Sequence, residues 1–127
     1  MKGKSVFSVR DRLKSFGYAF AGLRSFVASE PHAKIHLAAT VMVAAGVWFF
    51  RPSPLETMIL VLCMAFVWFA ELVNTCLEKL LDLLHPELHP VVKKIKDMAA
   101  AAVLVAALGA LICGLILFLP PLLNLFK

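Results

Sequence analysis

From residue 33 onward, apolar residues form three long blocks that are separated by short polar segments. The blocks cover about residues 33–50, 55–81 and 97–119 and carry few charges. A helix needs about 20 apolar residues to cross the roughly 30 Å hydrocarbon core of a bilayer. The pattern therefore predicts three transmembrane helices in one all-α membrane domain that takes in the whole chain.

The segment before the first block has an amphipathic pattern. Its apolar residues recur at steps of three and four: Leu13, Phe16, Phe20, Leu23 and Val27. Such spacing predicts a helix over about residues 10–29 with one apolar face. Its basic residues favour a position in the membrane interface, but packing against the helical bundle would explain the same pattern. Pro31 is expected to end or redirect this helix.

The connection RPSPLE between the first two blocks contains a helix start signal. Ser53 and Glu56 have the spacing of a capping box, and Pro54 occupies the first helical position. The second helix is therefore predicted to begin at Pro54. Continued to Asp82, it would be roughly 40 Å long, so its polar end extends past the apolar core.

The segment HPELHPVVKKIK between the second and third blocks is predicted to be irregular. It contains Pro86 and Pro90, and proline disfavours a continuous helix. We therefore expect the third helix to begin near residues 96–97. Pro120 and Pro121 are expected to end it.

Composition supports the membrane assignment, and charge gives its orientation. Of the 127 residues, 61% are hydrophobic, whereas soluble domains contain about 45–50%. Cytoplasmic loops carry an excess of Lys and Arg, and basic residues concentrate before the first block and around the second connection. They are Lys2, Lys4, Arg10, Arg12, Lys14, Arg24 and Lys34, then Lys79, Lys93, Lys94 and Lys96. The N-terminus is therefore predicted to be cytoplasmic.

Net charge and cysteine placement narrow the function classes. We interpret the net charge of +5 as a signal of membrane orientation and as a source of attraction to anionic lipid. We expect no nucleic-acid partner. Cys63, Cys76 and Cys113 lie in apolar blocks without metal-ligand spacing. We interpret them as small apolar side chains and not as a disulfide or metal site.

An acidic stripe follows the apolar part of the second predicted helix. Glu71, Asn74, Glu78 and Asp82 are spaced by three, four and four residues, which places them on one helix face. A charged side chain within hydrocarbon costs from about 3 to more than 10 kcal/mol, so such residues indicate function. Carboxylates at a membrane edge favour chemistry with a divalent metal and phosphate.

Phosphoryl transfer from ATP to a lipid alcohol would assign a role to each polar residue. Glu71 suits the general base, because a lipid hydroxyl reaches its depth. Glu78 suits Mg²⁺, with Asn74 between them, and Lys96 suits phosphate. No GxxxxGK[ST] phosphate loop is present. From spacing alone, a proton or ion path in a small transporter and a structural polar network in a membrane scaffold remain open alternatives.

The motif ELVNTCLEKLLD, followed by KDMAAAAVL, resembles the signature of the small prokaryotic diacylglycerol kinase family. The resemblance extends to KSFGYAFAGLRSFVASEPHAKIHL and HPELHPVVKKIKD, from about Arg12 to Leu115. It implies a homotrimer of three-helix subunits in the bacterial inner membrane, each with an N-terminal surface helix. Active sites would form between subunits at the cytoplasmic face. There, the ATP γ-phosphate would pass to a lipid alcohol with the help of Mg²⁺.

The resemblance also implies roles for individual residues. Glu71 corresponds to the family's base and Asn74 to its site asparagine, while Glu30 and Glu78 correspond to the metal-holding pair. From spacing alone, Glu30 would be a simple helix-end residue. The resemblance also implies nucleotide contacts at the following residues: Glu30, Glu78, Arg12, Tyr18, Glu87, His89, Lys96 and Asp97. Lipid contacts are implied at Glu71, Gly17 and Gly22.

Two details of the resemblance bear on substrate and nucleotide. At the family's N-terminal arginine this chain has Asp11, so we assign the role to the adjacent Arg12. The stretches KIHL and HPELHP resemble the Gram-positive branch, which prefers undecaprenol to the diacylglycerol of the Gram-negative branch. Undecaprenol is therefore the favoured substrate, and diacylglycerol is the alternative.

Overall fold

The computed structural model describes residues 9–87 and 89–127, which form four α-helices. Their bounds are α1 Val9–Ser29, α2 Pro31–Phe50, α3 Pro54–Leu84 and α4 Pro90–Asn124. The all-α prediction is confirmed. Lys2 and Lys4, which contributed to the orientation argument, lie outside the described residues.

Within the described part of the chain, α2, α3 and α4 are long and apolar enough to cross a membrane. They contain 20, 31 and 35 residues. At about 1.5 Å per residue, α3 and α4 are roughly 46 and 52 Å long, well beyond the 30 Å of a hydrocarbon core. One end of each long helix therefore extends into the interface or into water.

The predicted start of α3 is confirmed in detail. The backbone N–H of Ser53 donates to Glu56 Oε2 at 2.7 Å, and the N–H of Glu56 donates to Ser53 Oγ at 3.3 Å. Both halves of the capping box are thus present, with Pro54 as the first helical residue. Arg51 has a positive φ of 48°, which reverses the chain within the short α2–α3 connection.

The predicted start of α4 near residues 96–97 is wrong, because the helix begins at Pro90. Proline is tolerated at a first helical position, since the N–H that it lacks would have no partner within the helix. His89 is the N-cap, and its Nδ1 accepts a hydrogen bond from the N–H of Val91 at 3.2 Å. The residues VVKKIK therefore form the first turns of α4.

The predicted end of α4 is also wrong, because Pro120 and Pro121 lie inside the helix, which continues to Asn124. Proline holds φ near −65°, a helical value, so the chain keeps its helical path although two N–H donors are lost. Transmembrane helices tolerate proline where other groups satisfy the freed carbonyls.

The chain divides into two compact units, residues 1–34 and 35–127. In the described part of the first unit, α1 is helical as predicted, and Phe26 and Ala33 are buried. Leu13, Phe16 and Phe20 on α1 are exposed. Whether this face lies in the membrane interface stays a prediction.

In the second unit, α3 and α4 form an extensively packed hairpin. The side chain of α2 residue Thr40 accepts a hydrogen bond from Trp68 Nε1 of α3 at 2.9 Å. A largely apolar groove of about 410 Å³ lies between the three helices, with residues 36–43, 64–68 and 107–118 contributing to its walls. At the far end of α2, a β-carbon added to Gly46 would lie 3.0 Å from the Phe118 ring.

Because Gly46 leaves room for the Phe118 ring, Gly46→Leu should force α2 away from α4. Overpacking of this kind costs about 1–3 kcal/mol. Ala44→Leu, which adds a side chain of the same size at an exposed position of α2, should have little effect. Unfolding of the purified proteins in detergent measures both. Equal stability of the two variants would contradict this contact.

Candidate active site

The polar residues of the site continue the buried stripe of α3. That stripe begins with apolar residues, Leu60 and Val67, and becomes polar at Glu71, Asn74 and Thr75. Steps of three and four residues keep these side chains on one face. Polar side chains therefore occupy buried positions on a helix face whose earlier buried positions are apolar.

Glu71 is the most buried charged side chain among the described residues, with 4% of its surface exposed. It is the eighteenth residue of α3, about 25 Å from the start of the helix. The described part of the chain offers its carboxylate no hydrogen-bond or ion-pair partner. A carboxylate in this environment is costly to folding and is available to a ligand.

Asn74 lies between Glu71 and Glu78, the next carboxylate along the stripe. It is 9% exposed, and its Nδ2 donates to Glu78 Oε1 at 3.2 Å. Its Oδ1 is buried without a hydrogen-bond partner among the described residues. The amide NH₂ group therefore orients Glu78, and the amide oxygen remains able to accept a hydrogen bond or to bind a cation.

The lower part of the stripe contacts α4. Lys96 of α4 forms an ion pair with Asp82 of α3 through Nζ and Oδ1. Asp97, the other predicted nucleotide contact on α4, is paired with Lys93 within the same helix at 3.2 Å. The structure thus brings Lys96 to the α3 stripe, whereas Asp97 lies with its own helix neighbour.

Two further predicted nucleotide contacts lie around the connection between α3 and α4. Glu87 is exposed within that connection. His89 caps α4, and its ring centroid is 6.3 Å from that of His85. Sequence reasoning missed both the capping role of His89 and the burial of Thr75. The histidine–proline pair before a helical pattern was the available signal for the first, and the i, i+4 spacing from Glu71 was the signal for the second.

The remaining predicted site residues belong to the first compact unit, residues 1–34. Glu30 lies between α1 and α2, is partly buried, and accepts a hydrogen bond on Oε1 from Ser29 Oγ at 3.1 Å. A β-carbon added to Gly17 or Gly22 of α1 would have no other group within 4 Å. All four predicted site residues on α1 are exposed: Arg12, Gly17, Tyr18 and Gly22.

The donor atoms of α3 fit a hard divalent cation that also binds phosphate. Among the described residues there is no group of three or more His, Cys, Asp or Glu side chains that could hold a metal. Mg²⁺ does not need such a group, because it prefers one or two carboxylates and takes its other ligands from water and substrate phosphates. The Glu78 carboxylate and the free Asn74 Oδ1 are oxygen donors of the required kind.

The structure thus defines a small helical membrane protein with a buried carboxylate and a graded polar stripe on one helix. The sequence profile of the prokaryotic diacylglycerol kinase family matches residues 17–118. The chain belongs to this family, whose members are lipid kinases. The resemblance noted from the sequence motifs is thereby confirmed.

Individual relatives fall into two named classes. A diacylglycerol kinase of Synechocystis sp. is 39% identical over 114 residues, which is 89% of this chain and 65% of that protein. An undecaprenol kinase of Bacillus subtilis is 37% identical over 109 residues, which is 86% of this chain and 89% of that protein. A diacylglycerol kinase of Escherichia coli is 27% identical over 105 residues, covering 83% and 86%. This chain therefore spans about two thirds of the Synechocystis protein and most of the other two.

Asn74 allows a test of whether the polar stripe is retained for stability or for a ligand. A buried unpaired polar group costs about 1–3 kcal/mol. Asn74→Leu should therefore leave the free energy of unfolding unchanged or raise it, although it removes the hydrogen bond to Glu78. Asn74→Asp should lower the free energy of unfolding, because a fourth carboxylate joins the stripe. Denaturant unfolding in detergent at neutral pH compares the two, and a large loss of stability in Asn74→Leu would favour a structural network.

Proposed function

We propose that this protein transfers the γ-phosphate of ATP to a membrane lipid alcohol in a Mg²⁺-dependent reaction. The observation that carries the proposal is the position of Glu71, a buried carboxylate for which the described residues provide no partner. It lies at the junction of the apolar and polar stretches of one helix face. A lipid hydroxyl approaches from the apolar side and nucleotide phosphate from the aqueous side. Family membership supports the same reaction class.

Glu71 acts as the general base in this proposal. Its carboxylate accepts the proton of the lipid hydroxyl as the hydroxyl oxygen forms a bond to the γ-phosphorus. The bond between the γ-phosphorus and its bridging oxygen breaks, and ADP leaves with that oxygen. The products are the lipid phosphate and ADP, and Glu71 later returns its proton to solvent.

Phosphate charge is offset by groups farther along α3 and α4. Bound Mg²⁺ would supply charge neutralisation between phosphate oxygens. Glu78, held by Asn74 Nδ2, is the metal-binding residue that the geometry supports, and the family resemblance adds Glu30. The Lys96 ammonium group would offset the negative charge of the phosphates. Arg12, Tyr18, Glu87, His89 and Asp97 remain proposed nucleotide contacts on the resemblance alone.

The groove between α2, α3 and α4 supports a lipid as the acceptor. Val67 and Trp68, which line it, lie four and three residues before Glu71 and share its helix face. Its volume of about 410 Å³ is within the usual range of ligand pockets, about 300–1,000 Å³. A hydrocarbon chain along this face would bring its terminal hydroxyl toward Glu71, while Gly17 and Gly22 of α1 are proposed to leave room for the lipid.

Undecaprenol is the preferred acceptor in this proposal, and diacylglycerol is the alternative. The motifs of the Gram-positive branch favour the polyprenol, and one relative is named an undecaprenol kinase. Relatives named diacylglycerol kinase support the second acceptor. A single assay that offers both lipids decides between them.

The proposed assembly is a homotrimer in the bacterial inner membrane with its N-terminus in the cytoplasm. The basic residues of α1 and of the first turns of α4 support this orientation. The exposed small residues of α4 would permit close packing between subunits, and the family resemblance implies sites shared between neighbours. A non-catalytic transporter or scaffold is not favoured, because the relatives are kinases.

The central test is transfer of labelled phosphate from ATP to lipid in detergent micelles that contain both acceptors. The wild-type protein should form a phosphorylated lipid, with undecaprenol preferred. Glu71→Gln should lower turnover by about 10²–10⁴-fold, the usual contribution of a general base. Glu56→Gln is the matched control, because it neutralises a carboxylate elsewhere on α3 and glutamine still completes a capping box. No lipid phosphate from the wild type would end the proposal, and full turnover in Glu71→Gln would remove Glu71 as base.

Metal binding gives a separate prediction. Glu78→Gln and Glu30→Gln should each raise the Mg²⁺ concentration for half-maximal turnover by at least about tenfold, the lower end of the effect of residues that only orient metal ligands. Excess Mg²⁺ should partly restore turnover in both. A Mg²⁺ titration of initial rates measures this, with Glu56→Gln again as control. If both variants titrate like the wild type, the metal-ligand assignment is wrong.

A further inference from the structure

Asp82 and Lys96 form an ion pair between α3 and α4 within the described part of the chain, and they are fourteen positions apart in sequence. Lys96 is the more buried partner, with 32% of its side chain exposed, compared with 64% for Asp82. Most of the Lys96 side chain is thus covered, and its ammonium group contacts Asp82 Oδ1. The acidic residue determines where that charge lies.

The pair lies directly beside the proposed metal-binding residue. Asp82 is four residues after Glu78, so it is on the same face of α3 and about one helical turn farther on, roughly 6 Å. The ammonium group of Lys96 is therefore held one turn from the carboxylate that would bind the cation. Phosphate bound near Glu78 would lie within reach of such a group.

From this arrangement we infer that Asp82 is a positioning residue for nucleotide binding, which acts by holding the Lys96 ammonium group where the ATP phosphates bind. The inference rests on the proposed kinase activity. Lysine has a flexible four-carbon stem and is not preorganised as arginine is. Without Asp82, the Lys96 side chain would adopt several rotamers. Phosphate binding would then have to restrict it to one of them.

A purely structural role for the pair explains less. Ion pairs with an exposed partner contribute little to folding, and α3 and α4 already pack extensively against each other. The neighbouring pair of Lys93 and Asp97 shows the contrast. It joins two exposed residues of α4 to each other and does not bring a charge from one helix to the other.

The test is a double-mutant cycle of Asp82→Asn and Lys96→Met, with initial rates measured against Mg²⁺–ATP and against lipid. Asp82→Asn should raise the KM for ATP by about threefold to tenfold, in the lower part of the coupling range for residues in direct contact, and leave the KM for lipid unchanged. Asp82→Glu should recover most of the loss. In the Lys96→Met background, Asp82→Asn should change the KM for ATP by less than about twofold, because its effect is carried by the lysine.

Other outcomes overturn the inference. An unchanged KM for ATP in Asp82→Asn shows that the pair has no part in nucleotide binding, and a lower KM shows that Asp82 competes with phosphate for the lysine. An equal effect in both backgrounds shows that Asp82 acts independently of Lys96. Thermal unfolding of each variant identifies a loss caused by instability, which would support the structural role instead.

Failure of the kinase proposal is distinguishable from failure of this inference. Direct binding of Mg²⁺–ATP to the purified variants, followed by displacement of a fluorescent nucleotide, does not require turnover. A wild type that binds nucleotide without forming lipid phosphate would remove the proposed function. The ratio of the nucleotide dissociation constants of wild type and Asp82→Asn would still decide the role of Asp82.

Discussion

Burial of the Glu71 carboxylate in α3 is the constraint on which the rest of this structure depends. Only 4% of the residue is exposed, and a charge within hydrocarbon costs several kcal/mol or more. The described residues provide no partner that would offset this cost, and Asn74 Oδ1 adds an unpaired buried oxygen beside it. A fold retains such groups where a ligand, and not the protein, completes their interactions.

The stripe on α3 is graded in a way that suits two substrates of opposite character. It begins with Leu60 and Val67, passes through Glu71 and Asn74, and ends at the exposed Asp82. One continuous helix face thus runs from a hydrocarbon groove to an aqueous edge. A reaction between a lipid hydroxyl and a nucleotide phosphate needs this junction, because neither substrate readily enters the other's solvent.

The α3–α4 hairpin positions basic side chains as well as acidic ones. Because α4 begins at Pro90, its first turns carry Lys93 and Lys96 as ordered helical residues. Lys96 then meets Asp82 across the hairpin. An irregular segment at this point, as expected from its two prolines, would not have held the lysine in a defined position. The early helix start therefore fixes the position of Lys96 beside the polar stripe of α3.

Local sequence rules predicted the helices, the start of α3 and the shared face of Glu71, Asn74 and Glu78. Apolar periodicity, the Ser53–Glu56 capping box and side-chain spacing all act over a few residues. They misjudged Pro90 and Pro120, because proline is compatible with a helix at its first position and with helical φ near its end. Only the tertiary structure decided that Trp68 meets Thr40, that a groove lies between three helices, and that Lys96 pairs with Asp82. These contacts depend on how each helix is rotated about its axis and on which neighbour it packs against, and no pattern within a single helix contains that information.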